Sequence, residues 1–342
     1  MKLAVRLPNA GCYARPETMF RVAEAADELG FWGVSAQDHI LASTESTWCH
    51  GFHDGEDRTV LEPMQLLAAV GARTRNVRLL TGVLQLPYRH PVLLSKEAAT
   101  LDAMTGGRLV LGVGVGALYR EHQAIEGYIL APNASIAERE WAAFHVTGNR
   151  GEIIEEYLAA MDALWTQDTS SFSGRHVSFQ HLDPFPKSVQ QPRMPIWIGG
   201  SSEIAQRRAA RIGDGWYPSQ CSPAFMAEAN VRITETAEEV GRSDAPFDFI
   251  VCDAAYIAES DATARRLMKE THGHRFEGDT LWRQTISGSP ESFLAQLLEF
   301  REAGATAMDL RLLPLSAESM IEQMHLIANE VMPALAAASV TA

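Results

Sequence analysis

Short apolar runs and amphipathic stretches alternate along almost the whole of this chain, and that alternation limits the fold more than any other feature. Strand-like runs lie at 2–7, 31–36, 77–84, 108–115, 194–198, 215–219, 249–257 and 305–313. Most are apolar at consecutive positions, as in Leu109-Val110-Leu111, the pattern of strands covered on both faces. Between them lie helical stretches. Pro16 to Leu29 opens on proline, closes at Gly30 and places Phe20, Ala23 and Ala26 on one face. Ile153, Ile154, Tyr157, Leu158, Met161, Leu164 and Trp165 form a stripe at three- and four-residue spacing. Ser289-Pro290 opens a third helix, with Phe293, Leu294, Leu297 and Leu298 inward and Gly304 as its stop. Strands alternating with helices require a parallel sheet. A set of eight favours closure into an α/β (β/α)8 TIM barrel, with 305–313 pairing back onto Leu3–Leu7. The length of 342 residues suits one such barrel domain over 1–342, enlarged by insertions.

Two regions break the rhythm. Residues 119–150, after the fourth strand, include the polar stretch Ala131-Pro132-Asn133-Ala134-Ser135. Residues 168–193, before the fifth strand, alternate like a hairpin through Ser171–Val177 and then run through several prolines. Insertions in barrels tend to cover the active-site mouth or to mediate assembly.

Composition narrows the partners. A net charge of −14 offers no basic stripe for nucleic acid or for an anionic membrane surface. No uninterrupted apolar stretch approaches the length of a membrane span, and the N-terminus enters a strand at once without a leader pattern. Cys12, Cys49, Cys221 and Cys252 are scattered and read as reduced thiols, so the expected compartment is the cytoplasm.

In such a barrel the chemistry sits where strands end. The second run ends in Asp38-His39: a carboxylate beside an imidazole suits proton transfer, but an aspartate capping a turn reads the same. The third carries Gly82, which marks either a bulge, a close ligand or plain packing. The fourth ends Gly112-Val113-Gly114-Val115-Gly116, a side-chain-free face over which a flat ring could lie. The helix and acidic second strand that a dinucleotide fingerprint needs do not follow it. After the fifth, Gly199-Gly200-Ser201-Ser202 opens the helix-like Glu203–Ile212, an anion site for a cofactor phosphate or else simple N-capping. Trp48–Asp54 and His272-Gly273-His274 hold histidines without zinc spacing, so no metal is expected. Motifs of nucleophilic hydrolysis are absent from the sequence.

Several blocks in order resemble the luciferase-like monooxygenase superfamily. They are Thr81 to Pro91, Lys96 to Asp102, Gly106-Gly107-Arg108-Leu109 with Leu111 to Gly116, Pro195 to Ser201, and Ala209 to Trp216. The pattern is most similar to the branch using the deazaflavin coenzyme F420 rather than FMN. The resemblance implies that Asp38 and His39 face the ring, with His39 as proton relay and Asp38 beside it as the second catalytic candidate. It implies a backbone bulge at Thr81, Gly82 and Val83, often with a non-prolyl cis peptide, behind the ring. Gly114, Val115, Gly116 and Ala117 would line the other side with Arg120 nearby, and Gly199, Gly200, Ser201 and Ser202 would take the phosphate. A homodimer is implied as well. One departure matters: sugar-phosphate dehydrogenases of this branch carry a glutamate where this chain has Ala117, and a tryptophan soon after the Asp-His pair, whereas here none follows before Trp48. That chemistry is disfavoured. The expected function is hydride transfer between coenzyme F420 and a small organic substrate. An FMN-dependent monooxygenase fed by a separate flavin reductase, or a flavin-binding protein without turnover, are the alternatives. Substrate choice is expected to lie in loops at 40–60, 119–150 and 270–286.

Overall fold

The apolar runs become strands of one closed parallel sheet in the computed structural model, which describes residues 1–40, 59–116, 150–272, 285–313 and 316–338. In chain order the elements are β1 (Lys2–Arg6), α1 (Pro16–Glu28), β2 (Gly33–Ala36), α2 (Pro63–Arg73), β3 (Arg78–Thr81), β4 (Leu84–Gln85), α3 (Pro91–Met104), β5 (Leu109–Gly114) and α4 (Arg150–Thr166). They continue with β6 (Ser170–Ser173), β7 (Ser178–Leu182), β8 (Ile196–Gly199), α5 (Glu203–Ile212), β9 (Gly215–Tyr217), α6 (Pro223–Glu239), β10 (Asp248–Ile257) and α7 (Asp261–His272). The last are β11 (Thr285–Gly288), α8 (Pro290–Glu302), β12 (Ala307–Leu312), α9 (Ala317–Leu326), a π-helical turn (Ile327–Val331) and α10 (Met332–Ala337).

The sheet runs β12-β1-β2-β3-β5-β8-β9-β10, and β10 pairs back onto β12, so the barrel closes. The last strand meets the first in the expected register, Leu3 opposite Met308 and Val5 opposite Leu310. The expected eight-stranded barrel is therefore the observed one. Among the described residues this sheet has two strands beyond the eight. The third run is split at Gly82-Val83, whose peptide bond is cis, and resumes as β4 beside β5. Thr285–Gly288, expected as part of a loop over 270–286, is a strand on the upper half of β10, where β9 has already ended.

The helices start where their caps place them. Proline stands in the first turn of α1, α2, α3, α6 and α8. Ser202, Ser222 and Ser289 each accept a backbone N–H from three residues on. Side chains on the outer strand faces, such as Val5, Val34 and Leu79, pack against these helices.

The barrel interior is layered. Ala4, Leu80, Val110, Trp197, Ile250 and Ala307 form an apolar plug, with Trp32 stacked on Trp197 at 5.7 Å. Above the plug lies a polar layer, and above that layer the strands open into a cleft.

The 168–193 insertion is a hairpin of β6 and β7, with cis prolines at 186 and 192 beyond it. It does not cover the mouth. It connects a helix to the next strand, so it belongs to the N-terminal end of the barrel, opposite the catalytic face. Its anchors agree: Ser188 and Gln190 bind the Asp102 carboxylate at 2.7 Å each, and Gln190 also donates to the Leu109 carbonyl at the start of β5. The 119–150 insertion lies almost wholly outside the described residues.

Gly112 is the tightest point of the wall. A Cβ there would stand 2.1 Å from the Thr81 carbonyl oxygen and 3.1 Å from Val83 Cγ1. Gly112→Ala is expected to cost about 3 kcal/mol in urea unfolding, because backbone has to move rather than a side-chain tip. A variant within about 0.5 kcal/mol of wild type would contradict this packing.

Candidate functional site

A buried ion pair underlies the cleft. Arg6 and Asp309, on neighbouring strands β1 and β12, meet with Nη2 and Nε of the guanidinium 2.8 and 3.1 Å from Asp309 Oδ2. Ser35 Oγ donates to the same carboxylate at 2.8 Å, and Tyr217 Oη donates at 2.5 Å. Arg6 Nη2 also donates to the Gly82 carbonyl at 3.0 Å. Burial lowers the basicity of Arg6, but the facing Cys252, Asp309 and Tyr217 groups raise it well above its ordinary value. Burial pushes the Cys252 thiol to about 12, so that thiol is neutral at pH 7 and the carboxylate is the operative partner.

Over this layer lies a cleft of about 280 Å³, lined by the ends of β1, β2, β3, β5, β8 and β9. One side is the bulge. Val83 stands with Cγ2 2.9 Å from where a Cβ of Gly114 would be, and equally close to one of Gly199. The glycines of β5 and β8 therefore seat the Val83 side chain, and the flat surface at the cleft is Val83 upon its glycine bed. The β5 glycines, which read from the sequence as a bare face over which a ring could lie, seat a side chain of the neighbouring segment.

The Asp-His pair divides its work. Asp38 is 4% exposed, and both carboxylate oxygens are engaged. Oδ1 accepts from Arg89 Nη2 at 2.8 Å and Oδ2 from the Gln85 backbone N–H at 2.9 Å, while Gln85 Nε2 donates to the Asp38 carbonyl. Glu62 holds Arg89 from the other side at 2.9 Å. Asp38 thus ties β2 to the segment after β3 and is held where it is. His39, half-buried, lines the cleft beside it.

Of the residues expected at the site, the cleft gathers Asp38, His39, Gly82, Val83, Gly114, Val115, Gly116, Gly199, Gly200 and Ser201. Thr81 and Ser202 are not in its lining. Thr81 is buried with its hydroxyl donating to the Gly112 carbonyl at 2.7 Å, and Ser202 Oγ caps α5 by accepting from Ala205 N–H at 3.2 Å. Ala117 and Arg120 lie outside the described residues. The N-terminus of α5 opens onto the cleft through Gly200, whose φ is +113°, and Ser201. Glu203 in its first turn is answered by Arg232 at 3.5 Å.

Arg6, Gln37, Gln85, Tyr217, Pro218, Ser219 and Cys252 also line the cleft and were not singled out from sequence. The available signal was alternation: charged or polar residues at every second place of otherwise apolar strands, as in Asp309 and Arg311, face the interior together. Among the described residues no cluster of metal-ligating side chains occurs, and no helix is long and apolar enough to cross a membrane. Cys12, Cys221 and Cys252 are free thiols, and Cys49 lies outside the described residues. So do Trp48–Asp54 and residues 273 and 274.

The luciferase-like monooxygenase family model matches residues 3–337. The chain belongs to that family. An uncharacterised protein of Mycobacterium tuberculosis (strain ATCC 25618 / H37Rv) is 30% identical over 236 residues, 67% of this chain and 74% of that one. An F420-dependent glucose-6-phosphate dehydrogenase of Gordonia bronchialis is 27% identical over 242 residues, 69% of this chain and 63% of that relative. Among solved structures, the oxygenating constituent of 3,6-diketocamphane monooxygenase from Pseudomonas putida, in complex with FMN, superposes with a TM-score of 0.76 at 18% identity, covering 97% of this chain and 98% of the other. This luciferase-like chain is thus placed among flavin- and F420-dependent oxidoreductases and monooxygenases.

Outside the barrel wall of this family member lies a second cavity of about 400 Å³, between β10 and α8. Asp253 projects into it, 7% exposed. Burial raises its carboxyl to about 7, although the Ala254 N–H and Arg311 pull the other way. A folded-state value above the unfolded one means that the native protein keeps a proton the unfolded chain has lost. The stabilisation is full below about pH 4 and is lost as pH rises to about 7. Asp253→Asn is therefore expected to gain stability relative to wild type between pH 5 and pH 8, by on the order of 3 kcal/mol. Urea melts at the two pH values measure it; a difference that is the same at both would contradict a buried, raised carboxyl.

Proposed function

We propose that this protein is a coenzyme F420-dependent oxidoreductase that moves hydride between the deazaflavin and a small organic substrate. The observation that carries this reading is one cleft lined by the Val83 platform, by His39 and by Gly200 and Ser201 just before α5. Its residues fit a flat ring. Gln85 Oε1 is buried without a hydrogen-bond partner among the described residues and lines the same cleft, a ready acceptor for a ring imide N–H. Gly116, at φ +78°, is the neighbour that leaves this acceptor uncovered, since a Cβ there would come within 2.7 Å of it. The first backbone N–H groups of α5, beside Gly199, Gly200 and Ser201, suit a phosphate.

When bound, the coenzyme supplies hydride chemistry at one ring carbon. The protein's share is to fix the ring's plane through Val83, to hold its polar edge and phosphate, and to place a proton donor. His39 fills that last role, because it lines the cleft next to a carboxylate that Arg89 and Gln85 immobilise. Asp38 positions it.

The Gordonia relative's name supports F420, while the solved neighbour with FMN supports the alternative, an FMN-dependent monooxygenase drawing reduced flavin from a separate reductase. The homodimer belongs to this proposal too: Leu93 and Met104 on α3 expose apolar side chains, as does Phe185, whose carbonyl accepts from Lys96 on that helix.

Equilibrium titration separates the two cofactors. Saturable F420 binding at micromolar concentration or tighter is expected, and tight FMN binding with none to F420 would overturn the leading choice. His39→Gln is expected to lower turnover by about 100-fold while leaving cofactor affinity within about twofold. An unchanged rate removes His39 from proton transfer.

A further inference from the structure

The barrel wall changes partner at Asp253. On one side of β10, β9 pairs only as far as Phe249 and a last bridge joins Ser219 to Cys252, while β11 starts opposite Ala254. Asp253 falls between them. Its side chain belongs to the outward row Phe249, Val251, Asp253, Ala255 and Ile257, where the other four pack into the apolar layer under the helices. The space beside it is the chamber of about 400 Å³ between β10 and α8, a volume within the range of small-ligand pockets.

The carboxylate there is buried but not satisfied. Asp253 is 7% exposed, and its Oδ1 accepts the Ala254 N–H at 2.7 Å. Oδ2 accepts no hydrogen bond among the described residues and stays open to the chamber. Its polar neighbours are committed elsewhere. Gln296 Nε2 donates to the Ser287 and Ser292 carbonyls at 2.8 Å each, and Ser222 Oγ caps α6 by accepting from the Phe225 N–H at 3.2 Å. Burial pushes the Cys221 thiol up to about 12, so it carries no charge at pH 7. No lysine, arginine or histidine lines the chamber among the described residues, and Glu299, exposed on α8, adds a second carboxylate at its edge.

Chemistry narrows what such a place takes. An acceptor removed from water needs a donor, and a charged donor makes the stronger bond. A metal ion needs several ligands, and the described residues hold no cluster of metal-ligating side chains. A guanidinium pairs best with both oxygens of a carboxylate, and Oδ1 is already engaged. A primary ammonium is a compact point charge that one open oxygen can hold. Pro223, Ile286 and Phe300 offer apolar wall to a short carbon chain attached to it.

We propose that this chamber is a second ligand site, outside the barrel, that takes a small alkylammonium ion with its nitrogen on Asp253 Oδ2. It stands apart from the oxidoreductase reading, since no described residue lines both the chamber and the cleft.

Binding is measured with butylammonium as probe and butanol as its uncharged counterpart, by ligand-observed NMR and thermal shift at constant ionic strength. At pH 8 the Asp253 carboxyl, raised by burial to about 7, is ionised. Butylammonium is expected to bind with a dissociation constant on the order of millimolar, and butanol at least about tenfold more weakly. Asp253→Asn keeps the shape and removes the charge. It is expected to weaken butylammonium by about tenfold or more and to leave butanol within about twofold, in a variant whose folding the urea melts above verify. Glu299→Gln, at an exposed position, is expected to weaken butylammonium by about threefold or less. Absence of saturable binding, equal binding of the ammonium and the alcohol, or butylammonium binding unchanged by Asp253→Asn overturns the proposal. So does a loss in Glu299→Gln as large as that in Asp253→Asn, which places the ion on the surface.

Discussion

The Arg6–Asp309 ion pair is the constraint on which the rest of the barrel's upper half depends. A charge buried without a partner costs several kcal/mol, and removing one member of a buried pair costs about 3–5 kcal/mol. This pair is satisfied from several strands: Ser35 on β2, Tyr217 on β9 and the Gly82 carbonyl after β3 all converge on it. The polar layer therefore fixes the relative positions of strands that sequence places as far as 303 residues apart. It also separates the apolar Trp32–Trp197 plug below from the open cleft above.

The bulge follows from that layer. Arg6 holds the Gly82 carbonyl from beneath, and Gly112, Gly114 and Gly199 leave room for the Thr81 carbonyl and the Val83 side chain against β5 and β8. The β5 glycines matter for what they admit from the neighbouring strand. Asp38, pinned by Arg89 and Gln85, then fixes the edge at which His39 stands. The Val83 face and the cleft edge that carries His39 are thus set by the same few hydrogen bonds between strand ends, the arrangement in which a site gains rigidity from its scaffold.

Much of this was legible in the sequence. Eight strands buried on both faces leave runs of consecutive apolar residues, and proline or serine at the helix starts marks the boundaries between them. The cleft's glycines and the Asp38-His39 pair sit at strand ends, where a barrel keeps its chemistry. What was not legible has physical reasons. Arg6 and Asp309 look like ordinary solvated charges until the register brings β1 beside β12. Thr285–Gly288 is only four residues long, too short for periodicity to separate it from loop. The seat of Val83 depends on contacts across three strands. Ser202 caps its helix, the simpler of the two roles its position allowed, and the hairpin at 170–182 lies at the far end of the barrel because it joins a helix to the next strand.

On the proposed function, the Val83 face and the α5 N-terminus together hold a flavin-type cofactor above the Arg6–Asp309 layer. A crystal structure of the protein soaked with coenzyme F420, and of a parallel crystal soaked with FMN, tests it most directly. Ring density against Val83, with the phosphate at Gly199, Gly200 and Ser201, is the expected result. Density for the ring away from Val83, or for the phosphate at another element, would contradict it.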